Sequence, residues 1–275
     1  MTKIDFKADW KKLLDDLLEG EAFADPTFRT FHRFSWRNRL LAMGQMHRQG
    51  KKVQPFGTYR FWQLQGRQVK KGEKASLILC QPSRYPVEEG GEVVGFKKFF
   101  TWKKQWFTMD QTDGEDFEEM NEDINQKFDL EYLGIQLEEF QHDNGNVHGY
   151  ARLRDGKKTI AISPLVPEWK RRIITSHELA HCILHISEKT VQMDDNEMLG
   201  TDIKEVEAET AAFLVESALA HTTDGMAFKF SRDYVRHWLK TSEFTEKMAE
   251  RIIEAATKIL DSTRDHEKLK QGMNR

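Results

Sequence analysis

His177-Glu178-Leu179-Ala180-His181 sets two imidazoles four residues apart with a carboxylate between them. On a helix, residues four apart share a face, so both rings can reach one metal ion. Glu178 can then face water bound to that ion and act as general base. The chemistry implied is metal-assisted hydrolysis. A helix is expected here because residues 171–186 contain no Gly or Pro and carry Ile173, Ile174, Leu179, Ala180, Ile183 and Leu184. Ser163, Pro164 and Pro167 mark its approach.

A hydrolytic site needs a third protein ligand and an open position for water. Residues 204–215 read as a second helix rich in Ala, Glu and Leu. Glu205 and Glu209 are four apart and share a face, and Ala208, Ala211 and Ala212 let this helix approach the first closely. One carboxylate can ligate the metal while the other accepts the free ring N–H of a ligating histidine. Glu207 competes as ligand but points about 200° around the helix from Glu205, at about 100° per residue. His185 extends the histidine row, yet at about 1.5 Å per residue it lies about 12 Å along the axis from His177, too far to share one ion. It reads as a packing or capping residue. Cys182 reads as a small buried apolar residue. The pattern resembles the gluzincin metallopeptidases, in which HExxH is followed by a helix bearing two acids four apart. That resemblance implies Glu205 as the third zinc ligand and Glu209 as the group that orients a ligating ring.

The elements that hold these groups fall into two halves of opposite charge. Residues 1–110 hold 21 Lys and Arg against 12 Asp and Glu, and residues 111–275 hold 21 against 33, which gives the net −3. The basic half also holds 18 of the 30 aromatic residues, so the halves are expected to do different work. The acidic run at residues 113–123 marks the boundary. Hydrophobic content of 39% with 32% charge is a soluble globular profile, and no apolar run is long enough for a membrane span. The first ten residues lack a signal-peptide core. Cys80 and Cys182 lie far apart, which argues against a disulfide framework and for a reducing cytoplasm.

In the basic half, residues 10–18 read as a short amphipathic helix and residues 28–49 as a longer one. Strand signals follow at residues 58–62, 75–80, 99–102 and 105–109. Single-stranded nucleic acid is held by cations along its backbone and by aromatic faces on which bases stack. Arg37, Arg39, Arg60, Arg67, Lys70, Lys71 and Lys74, interleaved with Trp36, Tyr59 and Trp62, supply the parts of such a groove. Asn38 lies among them. Many of these aromatics must also build the core of a domain of this size.

Asn38, Gln45, Phe56, Gly57, Thr58, Trp62, Gly66, Arg67, Val69 and Lys71-Gly-Glu-Lys74 resemble the N-terminal domain of ArdC-type antirestriction proteins. So does Phe107-Thr-Met-Asp-Gln-Thr-Asp-Gly114. The likeness continues through Ile174-Thr-Ser-His-Glu-Leu-Ala-His181, Glu205-Val-Glu-Ala-Glu209 and Ser231-Arg-Asp-Tyr234-Val-Arg-His-Trp238, and is sparser between Pro82 and Lys98. The family is plasmid- and phage-borne. The resemblance implies an α+β chain of two domains. Residues 1–115 would be a mixed α/β domain that binds single-stranded DNA, residues 116–130 an acidic linker, and residues 131–275 a zincin-like metallopeptidase domain carrying the HExxH helix.

The expectation is a zinc peptidase that acts on protein near single-stranded DNA, or protects incoming DNA from restriction. Its ligands would be His177, His181 and Glu205, its base Glu178, and its sheet edge residues 159–163. Tyr234 is the candidate oxyanion donor, with His221 and His237 behind it. A second reading is a non-catalytic DNA-coating protein with a vestigial or structural metal site. A third is a peptidase whose basic half grips an acidic protein.

Overall fold

The computed structural model describes residues 9–19, 34–89, 92–117, 127–141, 147–186, 201–219 and 244–264. The chain is a mixed α/β protein, with helices and sheets in both halves. Helix α1 (Trp10–Glu19) and helix α2 (Trp36–Arg48) come first. Residues 28–33 lie outside the described residues, and α2 begins at Trp36 because Ser35 caps it, its hydroxyl accepting from the Asn38 N–H. Strand β1 (Phe56–Thr58) then runs directly into helix α3 (Tyr59–Leu64). The strand expected at residues 58–62 is therefore helical. Its aromatics favour a strand, but the Thr58 hydroxyl accepts from the Phe61 N–H at 3.2 Å and fixes a helix start.

Strand β2 (Arg67–Val69) pairs antiparallel with β5 (Thr112–Gly114). Between them lie two long strands, β3 (Leu77–Glu89) and β4 (Glu92–Thr108). The separate strand signals at 99–102 and 105–109 belong to one continuous β4. The sheet order is β1-β4-β3, which leaves β3 at an edge. Helix α2 covers the start of that edge with two amides seven residues apart. Gln45 accepts from the Ile78 N–H and donates to the Ile78 carbonyl, both at 2.9 Å. Asn38 does the same at Cys80, at 3.0 and 2.8 Å. Residues seven apart on a helix share a face, and alternate residues of a strand turn their backbone groups to the same side, so both amides meet the same edge. We expect Gln45→Ala to lower the stability of the chain by about 1–3 kcal/mol, because a backbone donor and an acceptor lose their partner together. Urea unfolding followed by circular dichroism measures this.

The second half begins with α4 (Leu130–Leu133) and a sheet of β6 (Ile135–Leu137), β7 (Gly149–Arg154) and β8 (Lys157–Ile162). Asp155 and Gly156, with φ of 51° and 71°, make the two-residue turn that folds β8 back on β7. The order is β6-β8-β7, with β6 parallel to β8. Residues 159–163 were expected as the edge; they lie in and just after β8, which is the central strand. The reason is burial: Thr159, Ile160, Ala161 and Ser163 are buried, whereas β7 is only half-buried along its length. The edge beside the helices is β7.

Helices α5 (Glu168–Leu184), α6 (Thr201–Leu219) and α7 (Glu246–Asp261) complete the described fold. Ala208, Ala211 and Ala212 of α6 are buried, and α6 packs on both α5 and α7. Arg172 and Ser176 of α5 grip the buried Glu216 of α6 at 2.8 and 3.2 Å, which fixes their register. One hydrophobic cluster runs through both halves, because α7 packs on α1 and α2 as well as on α5 and α6. Glu246 of α7 accepts from the backbone N–H groups of Trp10 and Lys11, and Arg37 of α2 pairs with Glu250 and Glu254 at 3.2 and 2.9 Å. No helix among the described residues is long and apolar enough to cross a membrane.

Candidate metal centre

Helix α5 presents His177 and His181 one turn apart, and α6 presents Glu205 to the same point. The Nε2 atoms of the two histidines lie 3.0 Å from each other, and each is 3.4 Å from a Glu205 oxygen. These ligand atoms all fall within 4.8 Å of one another. Two ring nitrogens at that distance cannot turn lone pairs on each other, so a hydrogen on one of them or a metal ion must lie between. The protonation pattern fits that need. Burial pulls both imidazoles down, but hydrogen bonds that His177 donates to Glu205 and Glu209 outweigh it there and hold that ring well above the ordinary histidine range. His181 is held well below that range by burial and by the charge on His177. Two imidazoles and a carboxylate are a suitable donor set for a divalent ion, with positions left over for water.

The far sides of both rings are also held. The His177 Nδ1 lies 3.4 Å from Glu209. The His181 Nδ1 meets the His185 Nδ1 at 3.1 Å, and the His185 Nε2 meets Glu207 at 2.9 Å. Arg251 of α7 donates to the same Glu207 oxygen at 3.0 Å. With the His181 Nε2 turned to the shared point, its Nδ1–H donates to His185, whose Nε2–H donates in turn to Glu207. His185 is the C-cap of α5, its backbone N–H bonded to the His181 carbonyl. Glu207, considered from spacing as a rival ligand, is fully buried on the side away from Glu205. Its role in this chain was not visible in sequence, since Arg251 lies 44 residues away.

Glu178 is buried beside the ligands, and burial first, then the nearby Glu205 charge, raises its carboxyl to about 7 against the pull of His177. The first residue of β7 faces it. A Cβ on Gly149 would stand 2.9 Å from both the Glu178 Oε1 and the Ile174 Cγ2. Nothing in the sequence singled out Gly149. We expect Gly149→Ala to push the Glu178 carboxylate aside and lower any hydrolytic rate about tenfold or more, while the chain stays folded, since misplacement by about 1 Å can cost a hundredfold. Steady-state kinetics beside a thermal melt checks this. Cys182 is buried, its thiol pushed up to about 12 by burial. Tyr234, His221 and His237 lie outside the described residues.

The residues proposed from sequence for DNA do not form one groove. Trp36 and Arg39 are fully buried, with the guanidinium 4.1 Å from the ring centroid. Trp62 is buried and donates to the Phe107 carbonyl at 3.0 Å. Arg67 is buried and bonded to Thr112. Asn38 holds Cys80, and Arg37 holds α7, as described above. Trp36, Arg39, Trp62 and Arg67 are thus withdrawn as surfaces for a base, because the domain needs its large side chains for its core. Tyr59, Arg60, Lys70, Lys71 and Lys74 are exposed, and Lys70 donates to the Asp110 carbonyl at 2.9 Å.

Residues 6–127 match the family described as the N-terminal domain of anti-restriction factor ArdC, and residues 130–230 match the IrrE N-terminal-like domain of the M78 peptidases. The comparison with curated proteins gave no match. Among solved structures, the metal-free antirestriction ArdC protein from the R388 plasmid is 18% identical, with a TM-score of 0.49 over 94% of this chain and 97% of that one. The Mn(II)-bound structure of the same protein gives 15% identity and a TM-score of 0.45 over 94% of this chain and 100% of that one.

Proposed function

We propose that this chain, ArdC-type in the order of its two domain matches, is an antirestriction protein that binds single-stranded DNA and carries a zinc-dependent peptidase in its C-terminal half. The observation that carries the reading is the convergence of His177, His181 and Glu205 on one point with Glu178 buried beside them. Held by those three residues, a divalent ion such as zinc would supply Lewis acidity to the scissile carbonyl and its attacking water. Glu178 takes the proton from that water and delivers it to the leaving amine. Glu209 and His185 accept the outer ring protons of the two histidines and keep their Nε2 atoms turned inward. The peptide lies along β7, whose outer backbone groups can accept an added strand. Tyr234 is the proposed oxyanion donor.

The basic half holds single-stranded DNA and so raises the effective concentration of the peptidase around DNA-bound protein. The test is a library of unstructured peptides, read by mass spectrometry, incubated with the zinc- or manganese-loaded chain with and without a single-stranded oligonucleotide. Cleavage by the wild type, absent in E178Q, supports the reading. No cleavage by the loaded wild type under either condition contradicts it.

A further inference from the structure

The β3–β4 hairpin outruns the sheet it belongs to. Strand β1 pairs with β4 only at residues 106–108, and the α2 amides reach no farther along β3 than Cys80. From the Cys80–Trp102 pair the two strands continue together to Glu89 and Glu92. At about 3.3 Å per residue this ribbon is about 30 Å long. A two-stranded ribbon is marginal in water by itself, so its side chains need a reason to be where they are.

Those side chains are sorted. Residues 77–87 and 93–108 contain Arg84, Lys97, Lys98, Lys103 and Lys104 and no Asp or Glu. The hairpin's carboxylates, Glu88, Glu89 and Glu92, are all at the tip. Alternate positions share a face, so β4 presents Phe96, Phe100, Trp102 and Lys104 on one side. Phe96 is 65% exposed and Phe100 74%, and Lys104 is exposed as well.

We propose that this face of the β3–β4 ribbon, with Phe96, Phe100 and Lys104, is the surface that binds single-stranded DNA. The proposal rests on the DNA-binding reading above and supplies the surface that the buried residues cannot. Aromatic faces alternating with cations suit a single strand, whose bases are free to stack and whose phosphates need neutralising. A duplex hides its base faces and would leave the phenyl rings without a partner. A second copy adding a strand along β3 is opposed by Pro82 and Pro86, which lack the N–H that strand pairing requires. An acidic partner protein would satisfy the lysines but not the row of flat rings.

The test uses the full chain and a fluorescein-labelled oligothymidylate, with anisotropy read across a salt series. Phe96→Ala with Phe100→Ala should weaken binding at least about tenfold and leave the salt slope unchanged. Lys104→Ala should weaken it less and reduce the slope by about one. Phe100→Leu keeps the apolar bulk and removes the flat ring; it should bind as weakly as Phe100→Ala, which a merely structural role would not produce. Wild-type binding with undiminished binding in the double variant would overturn the ribbon assignment and leave the DNA-binding reading intact. Equal competition by the corresponding duplex would overturn the single-strand assignment. A wild type that binds no oligonucleotide would overturn both.

Discussion

Glu178→Gln abolishes peptide hydrolysis while the chain stays folded and keeps its divalent ion. The expectation follows from where Glu178 stands. It shares α5 with two of the three metal-ligating candidates but is not a member of their cluster. Its carboxyl is buried beside the metal-ligating candidates, and that burial raises its affinity for a proton. Gln fills the same volume beside Gly149 and leaves His177, His181 and Glu205 untouched, so metal content and melting temperature should match the wild type. Removing a general base typically slows the reaction by about 10²–10⁴-fold. Cleavage assays with elemental analysis of the same preparation separate this outcome from loss of metal. A variant that cleaves at the wild-type rate would remove Glu178 from the mechanism.

Glu207→Ala should weaken metal binding about 10- to 100-fold without touching a ligand. Glu207 is fully buried and holds His185, which holds the outer nitrogen of His181. Without the carboxylate, His185 can turn or change tautomer, and the His181 ring loses its fixed orientation. The same substitution strands Arg251, the other partner of Glu207, so the fold should lose about 3 kcal/mol. Arg251 is about one-third exposed, and access to water keeps the loss toward the low end for a broken buried pair. Glu207→Gln separates the two effects. Its amide carbonyl can still accept from the His185 Nε2–H, so metal affinity should be largely restored while the ion pair to Arg251 stays lost. Metal titration and urea unfolding on both variants read the two quantities independently.

Much of the metal centre was legible because helix geometry is local. The four-residue spacings of His177 to His181 and of Glu205 to Glu209 mean the same thing in any fold, and the small residues of α6 signalled close packing. What was not legible depends on pairing between distant segments. Arg251 reaches Glu207 across 44 residues, and Gly149 matters only because β7 starts against Glu178. The choice of sheet edge turned on which of two adjacent strands is central, and alternating composition does not report that. In the first half, aromatic and basic residues looked alike whether they built the core or faced water. Trp36, Arg39 and Trp62 went inside, while Phe96 and Phe100 stayed outside on a ribbon whose length could not be read from its separate strand signals. At residues 59–62 one threonine cap outweighed the strand preference of the aromatics that follow it.

The most direct test of the account is metal binding by the purified chain, supplied with zinc or manganese and then freed of excess, with His177→Ala carried alongside. The wild-type chain should hold about one divalent ion and His177→Ala none, since the variant loses one of three ligands at a single shared point. A wild-type chain that takes up neither ion, or a His177→Ala chain that binds as well as the wild type, would contradict it.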